Sequence, residues 1–286
     1  MSKKVFLIGH PVGHSISPAF QQAALDHYGL DVIYEAVDID SEALEGTIQK
    51  LRHRDVLGAN ITVPHKESVI PMLDNALGDV AAIGAVNTIL NKDGVLTGYN
   101  TDAIGFLQSL RKHGELEPAG KSVLILGAGG SARAVSVALA KEGASSIFVA
   151  NRDLQRAQRL VDTLRPLGNF SGAVALDSQS MKSIASNSDI IVNCTPLGMH
   201  GSTGATLSPI DTDLISQKAL VVDLVYNPSE TPLLHRARRI GAKTLGGLYM
   251  LVYQGSASFK IWTDLDPPLE IMFEIANKAL AEKYTN

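Results

Sequence analysis

A glycine-rich segment is the first part of the sequence whose residue types and spacing could do chemistry. Residues 121–133 are an apolar run followed by the pattern GxGxxA, with Gly127, Gly129 and Ala132 at its small positions. The first glycine of such a pattern permits a tight turn, the second lets the backbone approach a diphosphate, and the third small residue lets a helix pack closely. Amides at the start of that helix favour an anion. The segment therefore predicts a dinucleotide site, with a purely structural glycine turn as the alternative.

The tip of the next apolar segment indicates which dinucleotide would bind. Sites selective for NAD usually carry an acidic side chain there, which binds the ribose 2′-hydroxyl. This sequence has Asn151 and Arg152 at the tip, and Arg156 one helical turn further on. Guanidinium groups bind phosphate bidentately, so two arginines favour NADP, although they could also simply face water. Asp153 leaves another alternative open, because its carboxylate could bind the ribose hydroxyl or pair with an arginine.

Polar clusters in the first part of the sequence could bind a small substrate. They consist of hydroxyls and amides with one lysine and one aspartate, which suits a small polyol that carries a carboxylate. An enzyme that oxidises an alcohol also needs a group to take the hydroxyl proton. Each cluster has a structural alternative too, such as helix capping by Ser17 or Asp102. The clusters are Ser15-Ile-Ser17, Asn60–Lys66, Asn87-Thr88 and Asn100-Thr-Asp102.

Alternating strands and helices must position these groups. In the second half, the alternation predicts a C-terminal Rossmann domain with a doubly wound parallel sheet, which binds a dinucleotide at its switch point. The segments that begin at Asn193 and Asp223 follow two of its strands and fall at the carboxyl edge, where ligands bind. The predicted strands are 122–126, 146–150, 172–176, 189–193, 220–224 and 243–245, with helices at 131–142 and 153–165.

The first hundred residues predict a second α/β domain, built on an open mixed sheet. A final amphipathic helix after Pro267-Pro268 has an apolar stripe that would pack back on this domain. The predicted domains are 1–102 completed by 247–286, for substrate, and 103–246, for NADP. The predicted elements of the first domain are strands 5–8, 32–37, 59–63, 86–90 and 95–98, with helices at 17–28 and 41–53.

Bulk properties exclude several classes of partner. The chain has 286 residues, of which 45% are hydrophobic and 19% charged, as in ordinary globular proteins. A net charge of −4 makes nucleic acid an unexpected partner, and no apolar run could span a membrane. The histidines show no metal-ligand spacing, so we infer no metal site. The single cysteine, Cys194, fits a packed thiol in a reducing cytoplasm, where we expect a monomer or homodimer.

Short polar and glycine-rich motifs follow one another along the whole chain. They are Gly9–Pro18, Gly58–Lys66, Gly84–Thr88, Gly98–Asp102, Gly127–Arg133, Asn151-Arg152, Asn193–Pro196 and Gly247–Gln254. In these motifs and in their order, the chain resembles the shikimate dehydrogenases over essentially its whole length. The resemblance implies an NADP-dependent enzyme of two α/β domains that reversibly reduces 3-dehydroshikimate to shikimate.

The resemblance also implies a role for individual residues. Lys66 and Asp102 match the catalytic pair, and Asn60 looks like a positioning residue. The implied substrate residues are Ser15 and Ser17 for a carboxylate, Thr62, Asn87 and Gln254 for ring hydroxyls, and Tyr226. The implied cofactor residues are Gly127, Ala128, Gly129, Gly130, Ser131, Asn151, Arg152, Arg156, Leu224 and Gly247.

The chemistry of the two catalytic residues agrees with these roles. A lysine ammonium held by a carboxylate can stabilise a developing alkoxide and donate a proton to it. Because a carboxylate favours the charged form of lysine, we expect Lys66 to act as an electrostatic and proton-donating group rather than as a simple base. Two positions depart from the family. Asp153 stands where NADP-using relatives usually have a threonine, and His65 could either tune Lys66 or serve the structure.

Other functions remain as alternatives. A quinate/shikimate dehydrogenase with relaxed substrate or NAD/NADP specificity is one, but quinate users tend to have threonine where this chain has Ser17. An enzyme similar to methylenetetrahydrofolate dehydrogenase would carry a tyrosine at the place of Thr62. A non-catalytic NADP sensor would bind NADP without turnover, and the presence of Lys66 and Asp102 argues against it.

Overall fold

The chain folds into two compact units, each with a six-stranded sheet, in a computed structural model that describes residues 2–176 and 178–282. One unit comprises the described residues up to Gly105 and from Leu251 onward, and the other is Phe106–Met250. The division falls within two helices, Asp102–Lys112 and Gly247–Thr263. Each unit therefore contains a part of both helices.

The sheet of the first unit is mixed, as predicted. Its strand order is β2-β1-β3-β5-β6-β4, where the strands are β1 (Lys3–Gly9), β2 (Val32–Asp38), β3 (Val56–Ile61), β4 (Asn75–Ala76), β5 (Thr88–Lys92) and β6 (Val95–Tyr99). Strand β1 runs parallel to β2 and β3, whereas β5 runs antiparallel to β3 and β6. The short β4 is parallel to β6. The carboxyl ends of β1 and β3 consequently lie side by side at one edge.

Helices cover this sheet and bury its apolar residues. The final helix packs against the first, and buries the apolar stripe that the sequence predicts. A core of aliphatic side chains, among them Ile8, Ile48, Ile61 and Ile89, fills the space between the sheet and its helices. The helices that lie wholly within this unit are α1 (Ser17–His27), α2 (Leu44–Lys50), α3 (Val80–Ile83) and α10 (Leu269–Glu282), with a 3₁₀ turn at Ile70–Met72. The helices α4 (Asp102–Lys112) and α9 (Gly247–Thr263) are divided between the two units.

Two helix starts differ from the sequence expectation. The capping role predicted for Ser17 is wrong, because α1 begins at Ser17 and Ile16 takes the cap position with backbone angles that are already helical. The Ser17 N–H instead donates to Ser15 Oγ at 3.2 Å. Helix α2 is shorter than the predicted 41–53, because the Asp40 carboxylate accepts two N–H groups of the preceding turn, each at 3.0 Å.

The sheet of the second unit is entirely parallel and doubly wound, which confirms the Rossmann prediction. Its elements are β7 (Ser122–Leu126), α5 (Gly130–Lys141), β8 (Ser146–Asn151), α6 (Leu154–Leu164), β9 (Phe170–Ala175), α7 (Gln179–Asn187), β10 (Ile190–Asn193), β11 (Leu220–Asp223), α8 (Pro232–Arg239) and β12 (Lys243–Gly246). Helices α5 to α8 and two 3₁₀ turns, Arg165–Leu167 and Thr212–Leu214, connect the strands. The strand order, β12-β11-β10-β7-β8-β9, reverses direction at β7, and this reversal creates a switch point at the carboxyl edge.

We expect Gly58→Ala to destabilise the first unit. A Cβ atom at Gly58 would lie 2.0 Å from the carbonyl oxygen of Ile89 and 2.7 Å from Nε1 of Trp262, so the strand and helix would have to shift. Overpacking of this kind lowers the free energy of unfolding by about 1–3 kcal/mol.

Chemical denaturation of the variant measures this change. Gly46→Ala is the matched control, because Gly46 lies in α2 with open space around it and an alanine there raises helix propensity. Equal stability of the Gly58→Ala variant and the wild type would show that β3 does not need a glycine.

Candidate active site

A buried ion pair lies at the centre of the polar groups in the first unit. Lys66 follows β3 and Asp102 is the first residue of α4, and Lys66 Nζ lies 2.5 Å from Asp102 Oδ2. The two side chains are only 12% and 5% exposed. The carbonyl group of Lys66 accepts the N–H of Val86 at 2.8 Å, which ties the lysine to the segment that carries Asn87. The structure thus brings together the two residues that match the catalytic pair.

Asn87 orients the carboxylate of this pair. Its Nδ2 lies 2.8 Å from Asp102 Oδ1 and 3.1 Å from Gln254 Oε1. Its Oδ1 accepts the backbone N–H of Thr101 at 2.8 Å, and this contact decides which end of the amide faces Asp102. Both carboxylate oxygens of Asp102 are therefore occupied, one by Lys66 and the other by Asn87.

A close helix crossing brings Gln254 to these residues. A Cβ atom at Gly105 in α4 would lie 2.6 Å from the backbone nitrogen of Gln254 in α9. Only glycine permits this approach, and it puts the Gln254 amide beside Asn87. The Nε2 group of Gln254 also donates to the carbonyl oxygen of Leu251 at 2.8 Å.

A layer of buried polar groups supports Asn87 from behind. Asn60 Nδ2 lies 3.0 Å from the carbonyl oxygen of Asn87 and 3.0 Å from Ser258 Oγ. Its Oδ1 accepts the hydroxyl of Tyr34 at 2.7 Å, and burial raises the pKa of that phenol. This is the arrangement expected of a positioning residue. Sequence reasoning did not identify Ser258 or Tyr34, although Ser258 lies one helical turn after Gln254, on the same face of α9.

His65 does not turn its imidazole toward the lysine. The side chain is buried, and its Nε2 lies 2.9 Å from the carbonyl oxygen of Ile39, after β2. This contact gives His65 a structural role, the second of the two alternatives. Thr62 is half-buried at the end of β3, where its N–H donates to the carbonyl oxygen of Ile8 at 2.8 Å.

The loop that carries Ser15 and leads to Ser17, the first residue of α1, leaves the sheet at the same edge. It follows β1, whose last residue, Gly9, has space for no side chain because Thr62 lies against it. The Asp38 carboxylate holds the loop, since its Oδ2 accepts the N–H of Val12 at 3.0 Å and its Oδ1 lies 2.6 Å from Nδ1 of His10. The hydrogen bond with His10 is the main reason that the pKa of Asp38 lies below its usual value. Ser15 and Ser17 come next along the chain.

The glycine turn of the second unit has the geometry of a diphosphate cradle. Gly127 adopts φ +106°, and a Cβ atom there would lie 3.1 Å from the methyl group of Thr195. Gly129 is the cap residue of α5, whose first turn contains no acidic residue that would oppose an anion. The half-buried Gly130 and Ser131 begin that helix. The absence of side chains at the glycines lets a phosphate approach the backbone of the half-buried residues 129–131, so these residues fit a dinucleotide.

An arginine lies against the same turn. Arg156 Nε donates to the carbonyl oxygen of Ala128 at 3.0 Å, which keeps its guanidinium at the glycine turn. Asp153 caps α6, because its Oδ1 accepts the backbone N–H of Arg156 at 3.1 Å. Asn151 Nδ2 donates to the carbonyl oxygen of Asp153 at 2.9 Å, and Arg152 is exposed. Asp153, which stands where the family usually has another residue, therefore has a helix-capping role in this structure.

The ends of β10 and β11 bring further predicted residues to this edge. A Cβ atom at Gly247 would lie 2.2 Å from the carbonyl oxygen of Leu224, so these two backbones are in contact. Tyr226 is half-buried on the same segment. The packed core thiol predicted for Cys194 is wrong, because strand pairing ends at Asn193 and the cysteine is only half-buried in the loop that follows.

A buried carboxylate that sequence reasoning left without a role lies between these loops. Asp223, the last residue of β11, is completely buried. Its Oδ1 accepts Asn193 Nδ2 at 2.9 Å and the N–H of Val225 at 3.0 Å, and its Oδ2 accepts the hydroxyl of Thr231 at 2.6 Å. Loss of hydration raises the pKa of Asp223 to about 6, although these hydrogen bonds act in the opposite direction.

Across residues 2–176 and 178–282, no group of three or more His, Cys, Asp or Glu side chains is arranged to hold a metal ion. None of the helices described above is both long and apolar enough to cross a membrane.

Family profiles match three successive parts of the chain. The profile described as the shikimate dehydrogenase substrate binding domain matches residues 7–89. That of shikimate / quinate 5-dehydrogenase matches residues 110–227, and that of the shikimate 5′-dehydrogenase C-terminal domain matches residues 247–273.

Individual relatives are similar over nearly the whole chain. The shikimate dehydrogenase (NADP(+)) of Methanopyrus kandleri is 43% identical over 94% of this chain and 93% of its own length. That of Moorella thermoacetica is 44% identical over 96% of this chain and 93% of its own. A crystal structure of shikimate 5-dehydrogenase from Thermus thermophilus in complex with NADP(H) and shikimate has a TM-score of 0.85 and 39% identity, and covers 97% of this chain and 99% of that one.

The raised pKa of Asp223 predicts a pH-dependent contribution to stability. Between the ordinary value of 3.8 and about 6, the folded chain holds a proton at Asp223 that the unfolded chain releases. The free energy of unfolding therefore falls as the pH rises through this window, by about 3 kcal/mol for a shift of about two pK units.

Melting of the wild type and of Asp223→Asn between pH 4 and pH 7 measures this contribution. The wild type should lose stability relative to the variant as the pH rises to 6, and the difference should then remain constant. A difference that does not depend on pH would contradict the assignment.

Proposed function

Because this chain belongs to the shikimate dehydrogenase family, we propose that it catalyses the NADP-dependent, reversible reduction of 3-dehydroshikimate to shikimate. It is accordingly an oxidoreductase that acts on a CH–OH group. The observation that carries the proposal is the buried pair of Lys66 and Asp102, with the amides of Asn87 and Gln254 beside it. This set offers a proton donor and several hydrogen-bonding groups to a polyol.

The substrate is assigned to polar groups that are held rigidly by their neighbours. A ring hydroxyl can both donate and accept, so amides and hydroxyls of known orientation discriminate between its positions. Asn87 and Gln254 meet this condition, because each makes hydrogen bonds that orient its amide. The proposed substrate residues are Ser15 and Ser17 for the carboxylate, Thr62, Asn87 and Gln254 for the ring hydroxyls, and Tyr226.

The cofactor is assigned to the glycine turn and the loops beside it. The turn and the start of α5 suit the diphosphate, and the guanidinium of Arg156, with Arg152, suits the 2′-phosphate. NADPH, when bound, supplies the hydride that reduces the ring carbonyl. The proposed cofactor residues are Gly127, Ala128, Gly129, Gly130, Ser131, Asn151, Arg152, Arg156, Leu224 and Gly247.

Lys66 handles the proton at the carbonyl oxygen of the substrate. In the reducing direction, its ammonium group stabilises the developing alkoxide and donates the proton that completes the hydroxyl. Asp102 holds the ammonium in position, and Asn87 holds Asp102. In the oxidising direction, the neutral amine of Lys66 accepts the hydroxyl proton.

A quinate/shikimate dehydrogenase is the second candidate function, because the profile that matches residues 110–227 covers both activities. The appearance of NADPH absorbance with NADP and shikimate tests the first candidate, and parallel assays with quinate and with NAD test the second. Turnover of shikimate with NADP alone supports the first. Comparable rates with quinate or NAD favour the second, and binding of NADP without any turnover contradicts both.

Replacement of Lys66 by alanine should slow turnover far more than it weakens cofactor binding. Loss of a positioned proton donor lowers kcat by roughly 10²–10⁴-fold, because the alkoxide then has no nearby acid. Steady-state kinetics and NADP titration calorimetry measure the two effects separately. Lys50→Ala, which changes an exposed lysine at the end of α2, is the control. An unchanged kcat in the Lys66→Ala variant would refute the catalytic assignment.

Replacement of Arg156 by alanine should weaken NADP binding selectively. A lost hydrogen bond to a charged phosphate costs about 1.5–3 kcal/mol, which raises KM for NADP by roughly ten- to a hundredfold. The KM for NAD, which lacks that phosphate, should stay the same. Arg165→Ala is the matched control, because that arginine pairs with Asp162 at the far end of α6. Equal effects on NADP and NAD would contradict the assignment.

A further inference from the structure

Asp223 is an ionisable side chain at a completely buried position, and no cation of the described residues is among its hydrogen-bond partners. All three of its partners, the Asn193 amide, the Val225 N–H and the Thr231 hydroxyl, are neutral donors. A buried carboxylate without a cation is unfavourable for the fold, and the raised pKa of Asp223 reflects this. A side chain that accepts hydrogen bonds at both of its terminal atoms is nevertheless required here, and only a carboxylate does so. An asparagine would present an NH₂ group to one of these donors.

The first of these hydrogen bonds reaches the glycine turn. Asn193 directs its Nδ2 to Asp223, and its Oδ1 therefore accepts both the N–H and the hydroxyl of Thr195, at 2.9 Å and 2.7 Å. The methyl group of Thr195 lies directly against Gly127, at 3.1 Å from where a Cβ atom would be. The orientation of one amide thus connects Asp223 to the turn assigned to the diphosphate.

The second hydrogen bond fixes the segment that follows β11. The N–H of Val225 donates to Asp223, and Val225 lies between Leu224 and Tyr226. The backbone of Leu224 is in turn held against Gly247. This segment therefore carries one residue assigned to the cofactor, Leu224, and one assigned to the substrate, Tyr226, and Asp223 holds its first turn.

The third hydrogen bond fixes the far end of the same segment. Thr231 is completely buried and caps α8, where its hydroxyl oxygen accepts the N–H of Leu234 at 3.2 Å. The same hydroxyl donates to Asp223 at 2.6 Å. Asp223 consequently holds both ends of the segment 224–231 as well as the loop beneath the glycine turn.

We propose that Asp223 is a positioning residue for the nicotinamide dinucleotide, because it locks the loop after β10 and the segment after β11 in one arrangement. The inference rests on the proposed function and deepens it. It extends the cofactor site by Asp223, Asn193 and Thr195, which contact the assigned residues without being among them. The role of Asp223 is to keep those residues in register for hydride transfer.

Asp223→Asn in the full chain tests the proposal. The variant should bind NADP at least roughly tenfold more weakly by titration calorimetry, because one of the three hydrogen bonds to the carboxylate is lost. Its kcat with saturating NADP and shikimate should also fall. Its melting temperature at pH 7.5 should stay the same or rise, since a buried charge is removed. A purely structural residue would instead lower the melting temperature and leave kcat and the NADP affinity of the folded protein unchanged.

Two further variants make the test decisive. Asp189→Asn is the matched control, because Asp189 accepts two hydrogen bonds from Ser122 at the opposite, amino edge of the same sheet. It should bind NADP as the wild type does. Asn193→Ala, which leaves the carboxylate in place and cuts its connection to Thr195, should weaken NADP binding in the same direction as Asp223→Asn.

The outcomes separate this inference from the proposed function. If the Asp223→Asn variant binds NADP as tightly as the wild type and has the same kcat, the inference is overturned. If that variant does not fold, the Asn193→Ala variant decides, and NADP affinity equal to that of the wild type overturns the inference. Lack of shikimate oxidation by the wild type would instead overturn the proposed function, while NADP affinity would still report on Asp223.

Discussion

A single carboxylate, shared between a cation and an amide, is the interaction on which the site of the first unit depends. Asp102 is almost completely buried, and a buried charge is tolerated only where it is paired and hydrogen-bonded. Lys66 provides the pairing and Asn87 provides the hydrogen bond. Loss of Lys66 leaves an uncompensated charge, and loss of Asn87 leaves a carboxylate oxygen without that hydrogen bond, so the segments that carry these three residues must meet in one geometry.

Other residues of the first unit hold Asn87 and Gln254 in the orientation that this arrangement requires. Asn87 can direct its amide nitrogen to Asp102 only because Thr101 occupies its oxygen, and Asn60 holds the backbone behind it. The glycine at position 105 lets α9 approach closely enough for Gln254 to reach the same amide. Because these amides are already oriented, a ligand that binds them orders few additional groups, which is the advantage of a preorganised site.

The second unit also has a buried carboxylate beside its candidate site, but this carboxylate is not paired with a cation of the described residues. At the carboxyl edge of its parallel sheet, the partners of the buried Asp223 are three neutral donors, one at the end of β10 and two in the segment after β11. On the other side of the switch point, the carboxylate of Asp153 caps α6 and leaves the Arg156 guanidinium at the glycine turn. Two acids in this unit thus have different functions: Asp153 accepts a backbone N–H of one helix, whereas Asp223 accepts one backbone N–H and two side-chain donors from different segments.

The sequence by itself determined the features that depend on local pattern. Apolar runs and their spacing identified the parallel sheet at 122–246, and the glycine pattern identified the turn at Gly127, because strand formation and tight turns depend on residues that are close in sequence. The resemblance to a known family already paired Lys66 with Asp102, but tertiary structure alone decided the contacts of Asn87 with Asp102 and Gln254, and that of Asn193 with Asp223. These contacts join segments that are distant in sequence, so no periodicity encodes them, and packing of whole elements determines which polar groups meet.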